Sequence, residues 1–251
     1  MLEVQTNGPV LSVTLNRPEV RNAFNADLIA RLSDVFADLP PGVRVVVLKG
    51  EGKAFCAGGD LEWMREAAGY GFDENHRDAV KLGRLFELVA ECPAVGIAQV
   101  HGAAFGGGCG LVAAADVAVA AEGTLFSFSE VKLGLVPATI SLIVLPKIGS
   151  GQARRLFATG AVFHADEALR IGLVHEIVPT ERLGSAVERQ IAAVLKCGPE
   201  AVSVAKRLAL QPPADMDEAA RILAEVRQGE EAKEGVAAFL AKRPAAFVVE
   251  R

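Results

Sequence analysis

His101-Gly102-Ala103-Ala104-Phe105-Gly106-Gly107-Gly108-Cys109-Gly110 is the stretch whose reading decides how this chain folds. It follows residues 94–100, an apolar run that reads as a strand buried on both faces. It is read as a glycine-rich turn leading into a helix over residues 109–115. Strand, turn and helix in direct succession form the repeating unit of an α/β fold. Three consecutive glycines at a helix entrance leave unpaired N–H groups at the positive end of the helix dipole. Such a place suits an oxyanion or a phosphate; close packing of helix on strand is the plainer reading. No Gly-Lys-Ser/Thr follows, and Gly102 lies too far upstream of the contiguous Gly106–Gly108 for a dinucleotide fingerprint.

Working upstream, Lys53-Ala54-Phe55-Cys56-Ala57-Gly58-Gly59-Asp60-Leu61 has the same setting. It follows a second buried apolar run, residues 43–49, and opens into a helix from Leu61. Gly58 and Gly59 let the backbone approach a ligand closely, and Asp60 suits an N-cap. A simple strand-to-helix turn would use the same residues. Residues 10–15 alternate and read as a strand. Residues 25–36 carry Leu28, Ile29, Leu32, Val35 and Phe36 at helical spacing. Residues 70–73 read as a mobile loop, and residues 79–91 as an amphipathic helix ending before Pro93.

Downstream, residues 117–121 and 174–178 read as strands, and residues 167–171 as the start of another strand-and-helix unit. Helices dominate from Arg182 onward, broken at Pro199 and at residues 211–213. The alternation predicts an α/β fold with a largely parallel sheet. It divides into a core over residues 1–190 and a helical region over residues 191–251. Within Phe126–Pro137, Glu130 is the one carboxylate in an apolar setting. A partly desolvated glutamate has a raised pKa and can trade protons, although a lone glutamate is equally well a surface residue.

The bulk properties narrow the class. The chain has 251 residues, 51% apolar and 23% charged, with a net charge of −5. That balance excludes a disordered chain and argues against nucleic acid as the main partner. No run of about 18 uncharged apolar residues suggests a membrane span, and the first ten residues do not resemble a secretory signal. Cys56, Cys92, Cys109 and Cys197 form no CxxC pair. The expectation is a soluble cytoplasmic protein with reduced thiols and no metal site.

Taken together and in this order, the segments resemble the crotonase, or enoyl-CoA hydratase/isomerase, superfamily from end to end. Leu15–Glu19 through Asn22–Phe24 is similar to that family's first CoA-contacting strand and turn. Phe55–Asp60 and His101–Leu111 are similar to its two oxyanion-hole loops. Glu234–Phe239 with Lys242 and Arg243 is similar to its closing helix. The resemblance implies a ββα spiral core with a C-terminal helical trimerisation region, and a homotrimer or homohexamer. It implies an acyl-CoA thioester as substrate, with coenzyme A belonging to the substrate and no separate cofactor. Gly59 and Gly107 would donate the two N–H groups to the thioester oxygen, and Ala57 would sit by the adenine. Arg21, Ala23, Asp60, Leu61, Gly110, Phe239 and Lys242 would complete the substrate contacts. The pathways implied are fatty-acid metabolism and branched-chain amino-acid degradation.

One departure matters. Hydratases of this family use two glutamates; Glu130 matches one, and Gly110 stands where the other would be. Hydration or dehydration with Glu130 as acid and base, Δ3-Δ2 isomerisation, decarboxylation, and catalytically weak acyl-CoA or RNA binding all stay open. The stretch Glu130–Ser141 resembles hydratases of branched, glutaconyl-type thioesters, in which Gly110 would leave room for a branch or carboxylate. His101 and Asp116 read as structural hydrogen bonders. Cys56 and Cys109 lack a partner base, and Trp63, Met64 and Phe72 are candidates to line an acyl pocket.

Overall fold

In the computed structural model, which describes residues 1–250, strand β1 (Leu2–Asn7) turns back on β2 (Val10–Leu15) as an antiparallel pair. All other pairings in the main sheet are parallel: β2 with β3 (Val45–Gly50), β3 with β4 (Val95–Val100), β4 with β6 (Val117–Ala121), and β6 with β9 (Glu176–Val178). A second, small sheet orders β5 (Ala103–Phe105), β7 (Leu125–Ser127) and β8 (Val162–His164). The helices are α1 (Ala26–Ala37), α2 (Leu61–Ala67), α3 (Phe72–Glu91), α4 (Gly107–Ala114), α5 (Ala138–Thr159), α6 (Ala165–Arg170), α7 (Leu183–Leu195), α8 (Pro199–Leu210), α9 (Met216–Gln228) and α10 (Glu230–Leu240). The α/β class expected from the alternation is the one that forms.

Successive strand residues point to opposite faces, and here both faces are covered. Leu11, Val13, Val46, Leu48, Ala98 and Val100 join a core shared with α1, α3, α4 and α5. Val10, Val45, Val47, Val95 and Ile97 join a second core. That second core is closed by Leu183, Ala186, Val187, Ile191 and Leu195 of α7. Burial on both sides is why β3 and β4 are continuous apolar runs in the sequence.

Several boundaries differ from the expected ones. The division at residue 190 falls inside α7, which belongs to the sheet's own core. Helix α8, which follows Gly198, packs on that same core through the half-buried Val202. Residues 72 and 73, expected in a mobile loop, are the first turn of α3. Gly71 starts that helix, and its N–H is bonded by Glu74 Oε2 at 3.1 Å, an arrangement that fixes the helix start seven residues early. Residues 167–170 lie in α6 with Ile171 as its C-cap, and the strand of that unit, β8, comes before them. The turn at residues 101–108 contains β5, whose three residues pair with β7. Strand β1 and helix α5 had no counterpart in the sequence reading.

Helices α8 and α9 bury no residue fully, and α10 buries only Ala238. One tie to the sheet is Lys206 of α8, whose Nζ donates to Ala94 O at 3.0 Å and pairs with Asp116 Oδ2 at 2.7 Å. Asp116 also accepts from Gly96 N at 2.7 Å, the structural anchoring expected of it.

Candidate active site

The turn after β2 is built by two side chains. Asn22 is fully buried. Its Oδ1 accepts from Arg17 N at 2.8 Å, and its Nδ2 donates to Glu51 O and Ala54 O at 2.8 Å each. Arg21 and Asn22 both lie in the left-handed region, with φ of 53° and 57°. Such conformations cost free energy in non-glycine residues and persist only where surrounding bonds impose them. The Arg17 guanidinium donates to Ala23 O and to Asp60 Oδ2, both at 2.7 Å. Ala57 N donates to Arg21 O at 3.0 Å. Arg21, Ala23, Ala57 and Asp60, far apart in sequence, therefore meet. Arg17 and Asn22, which assemble them, were not among the expected site residues; nothing in their local spacing marks them as a pair.

Asp60 caps α2 by accepting from Glu62 N at 2.8 Å. Burial works against its charge, but the bonds from Arg17 and from Glu62 N–H prevail and hold its carboxyl below the usual range. Leu61, the first residue of α2, is 76% exposed and free to meet a ligand.

The two glycine segments are held in parallel register. Cys56 pairs with Ala104: Cys56 N donates to Ala103 O at 3.1 Å, and Phe105 N donates to Cys56 O at 3.0 Å. Three residues beyond each member of that pair lie Gly59 and Gly107. The bridge is a single pair, and beyond it both chains leave the extended conformation, at Gly58 and Gly106 with φ of 95° and 50°. A second bridge fixes the orientation of Gly59. Phe24 N donates to Gly58 O and Asp60 N donates to Phe24 O, so the N–H of Gly59 turns away from Phe24. Gly107 is the first residue of α4, where the N–H has no intrahelical acceptor. Neither N–H has a backbone acceptor among the described residues. Gly59 and Gly107 are half-buried between buried neighbours, so each presents its backbone through a gap. Free N–H groups of this kind, one of them at the positive end of a helix dipole, suit a developing negative charge on oxygen.

Two glycines permit this approach. Gly58 has a φ of 95°, which side-chain-bearing residues rarely adopt. Gly108 packs on the Cys56 carbonyl so tightly that a methyl group built on it would lie 2.4 Å from that oxygen.

Glu130 opens the short 3-10 turn after β7. A methyl group built on Gly106 would lie 3.1 Å from its Oε1, so its carboxyl sits beside the residue preceding Gly107. Its Oε2 is buried and has no hydrogen-bond partner among the described residues. Burial pushes its pKa up, opposed only by its own backbone N–H. A half-desolvated carboxyl with one uncommitted oxygen is suited to taking and returning a proton.

Gly110 gives a correction. It does not leave room for a substrate branch or carboxylate, because Phe86 and Ile140 fill the space. A methyl group there would lie 2.6 Å from Ile140 Cγ2 and 2.8 Å from Phe86 Cε1. Both side chains are fully buried. Phe72, a candidate for an acyl pocket, is 83% exposed and stacks on His76 rather than packing in the core.

The remaining candidates fall as follows. His101 Nε2 lies 3.0 Å from Gly52 O, a structural bond. Cys56 and Cys109 are fully buried, and burial pushes the Cys56 thiol up to about 12 and the Cys109 thiol higher still, which leaves both inert. Helix α10 packs against α8 and α9 and leaves Val236, Phe239 and Leu240 exposed. Beyond it, Lys242 has a φ of 53°, and Arg243 pairs with Glu234 at 2.6 Å. No group of three His, Cys, Asp or Glu side chains among the described residues is placed to hold a metal ion, and no helix among them is long and apolar enough to cross a membrane.

Comparison with known proteins gives a consistent picture. The family model described as enoyl-CoA hydratase/isomerase matches residues 5–249. A crotonyl-CoA hydratase of Syntrophomonas wolfei is 35% identical, over 93% of this chain and 92% of that protein. Among solved structures, AtuE of Pseudomonas aeruginosa is 37% identical with a TM-score of 0.95, covering 99% of each chain. An enoyl-CoA hydratase of Shewanella pealeana is 35% identical with a TM-score of 0.93, covering 98% of this chain and 95% of that one.

Proposed function

Because the chain belongs to the enoyl-CoA hydratase/isomerase family, we propose that it hydrates an enoyl-CoA, or dehydrates the 3-hydroxyacyl-CoA, through a thioester enolate held by the N–H groups of Gly59 and Gly107. Glu130 is the sole acid and base. The observation that carries this reading is the Glu130 carboxyl: it is half-desolvated, has one unpartnered oxygen, and lies beside the glycine that precedes the second donor. In hydration, Glu130 takes a proton from water as the oxygen adds to the β-carbon. The electrons of the double bond move into the thioester, and the N–H pair stabilises the enolate oxygen. The protonated Glu130 then delivers its proton to the α-carbon. One carboxyl serves both steps because Phe86 and Ile140 close the Gly110 position to a second acid.

Δ3-Δ2 isomerisation is the second reading. It too needs a single base, moving a proton between two carbons of a common dienolate, and the closed Gly110 position favours it equally. A preference for branched or glutaconyl-type acyl groups rests on the Glu130–Ser141 stretch alone, since the room beside Gly110 is absent. Assembly as a trimer or hexamer is supported by the apolar residues that α10 leaves exposed. A place in fatty-acid or branched-chain amino-acid breakdown fits the proposed substrate class, and four free cysteines fit the cytoplasm.

The test is a panel of 2-enoyl and 3-enoyl thioesters, with product mass as readout and Glu130→Gln beside the wild type. The variant is expected to lose about 10²–10⁴-fold in turnover, the range for one positioned proton-transfer group, while acetoacetyl-CoA binding persists. Near-normal turnover would remove Glu130 from the reaction. A wild type active on 3-enoyl thioesters alone would select isomerisation. The same variant carries a stability signature. A carboxyl whose folded pKa is raised costs stability at pH above its unfolded value, near 4.3. Glu130→Gln should therefore raise the melting temperature at neutral pH, and that gain should vanish once both states are protonated in acid.

A further inference from the structure

We propose that Asp78 is a positioning residue that fixes α2 against the acyl group of the bound thioester through its hydrogen bond to Trp63. The proposal rests on the reading of Gly59 as a thioester-oxygen donor. Helix α2 has seven residues, none of them buried. Glycines bracket it: Gly58 and Gly59 before, Gly69 and Gly71 after. A helix this short has little stability of its own and takes its position from its contacts. Its first turn nevertheless lies on the donor. A methyl group built on Gly59 would be 3.5 Å from Met64 Cγ and Sδ and 3.7 Å from Cε, so the Met64 side chain lies along that glycine. The tilt of α2 thus sets how much space adjoins the thioester.

Few groups hold that tilt. Asp60 caps the helix start and fixes one end. The sideways tie is Trp63 Nε1, which donates to Asp78 Oδ2 of α3 at 3.3 Å, while the indole packs at the edge of the main core. Asp78 lies fifteen residues further along the chain, across the glycine-flanked connection, so this bond staples α2 to a long helix that is itself anchored by Leu85, Phe86 and Val89. Without the acceptor, the indole N–H is left half-buried and unpaired. Met64 is then free to move off Gly59. A short acyl group, which relies on that wall for its position, loses more than a long one, which makes its own contacts.

Trp63 is the only tryptophan in the chain, so its emission reports this site alone. The experiment compares full-length wild type, Asp78→Ala, Asp78→Asn, Trp63→Phe and the double variant Trp63→Phe/Asp78→Ala. Crotonyl-CoA and a long-chain 2-enoyl-CoA are the substrates, and acetoacetyl-CoA is the non-reacting probe. In Asp78→Ala, kcat on crotonyl-CoA should fall about tenfold, the order expected for losing one charged hydrogen bond. The long-chain substrate should lose less, so the ratio between the two shifts. The change in Trp63 emission on adding acetoacetyl-CoA should diminish. Asp78→Asn should recover most of the loss, since its amide oxygen accepts the same N–H. Trp63→Phe should match Asp78→Ala, and the double variant should be no worse than either, as two ends of one interaction require. An unchanged substrate ratio with unchanged emission, or additive losses in the double variant, would overturn the proposal. If wild type binds acetoacetyl-CoA but turns over neither substrate, the reaction assignment fails and the emission arm still decides Asp78. If it does not bind the probe, the donor reading and this proposal fall together.

Discussion

The two glycine segments present the same kind of donor but are held in opposite ways. The second, at residues 106–110, is held by packing. Gly107, Gly108 and Gly110 each have side-chain or backbone atoms within 3 Å of where a methyl group would be, from Phe24, Cys56, Ile140 and Phe86. The first, at residues 57–60, is held by polar bonds: Arg17 to Asp60, Ala57 N to Arg21 O, and the bridge between Phe24 and Gly59. There, the atoms nearest a methyl group on Gly59 all belong to the Met64 side chain, at ordinary distance. One wall of the candidate site is therefore rigid and the other adjustable. On the proposed reading, the donor on the helix dipole keeps a constant hold on the thioester oxygen while the acyl side adapts.

The sharpest way to break that contrast is to overfill the rigid side. Gly108→Ala places its methyl group against a backbone carbonyl at 2.4 Å, which no side-chain rotation relieves. The expected cost is about 3 kcal/mol, the upper part of the usual range for overpacking, read as a fall in the chemical denaturation midpoint together with loss of turnover. A midpoint within experimental error of wild type would mean that packing does not hold this segment.

The matching attack on the polar side is Arg17→Met. It keeps much of the side chain's apolar bulk but removes the partner of Asp60, whose side chain is only 10% exposed. The expected cost is about 2 kcal/mol, between the values for surface and buried pairs. Its pH dependence identifies the cause. The folded pKa of Asp60 is depressed, so its stabilisation is present above the unfolded value near 3.9 and is lost as pH falls through the folded pKa. The gap between variant and wild type should thus hold through neutral and mildly acidic pH and narrow only below that range. A gap that stayed constant in strong acid would point to lost packing instead.

The same contrast explains what the sequence could reveal. The packed side is written in local signals: a buried apolar run, three glycines and a helix. These place Gly107 at the entrance of α4 without any long-range information. Asp60 was legible as a cap for the same reason. The polar side depends on Arg17 and Asn22, whose partners are up to 43 residues away and follow no periodicity. The closure of the Gly110 position was also invisible. A glycine in sequence looks like space, and only the fold shows that Phe86 of α3 and Ile140 of α5 converge on it. Residues 70–73 misled for a related reason. Their polarity and glycines suggest a loop, yet Glu74 reaching back to Gly71 turns the same polar residues into a helix start.

The smallest expected effect separates the two donors directly. Gly107→Ala brings a methyl group to 2.9 Å from Phe24 Cε2, and Phe24 is a buried ring set edge-on to Phe86. The ring must give by several tenths of an ångström, at about 1 kcal/mol, and the helix entrance shifts with it. Turnover should fall by about 10²-fold, the lower end of what losing one oxyanion donor costs elsewhere. Gly59→Ala meets Met64 at 3.5 Å, an ordinary contact with a flexible side chain, and Gly59 does not need a positive φ. Its stability should stay within about 0.5 kcal/mol of wild type. Its turnover on crotonyl-CoA should drop only a few-fold, chiefly through KM, because the N–H is retained and the ordinary 3.5 Å contact leaves Met64 in place. Equal losses in the two variants would show that both walls are equally rigid and would remove the basis for an adjustable acyl side.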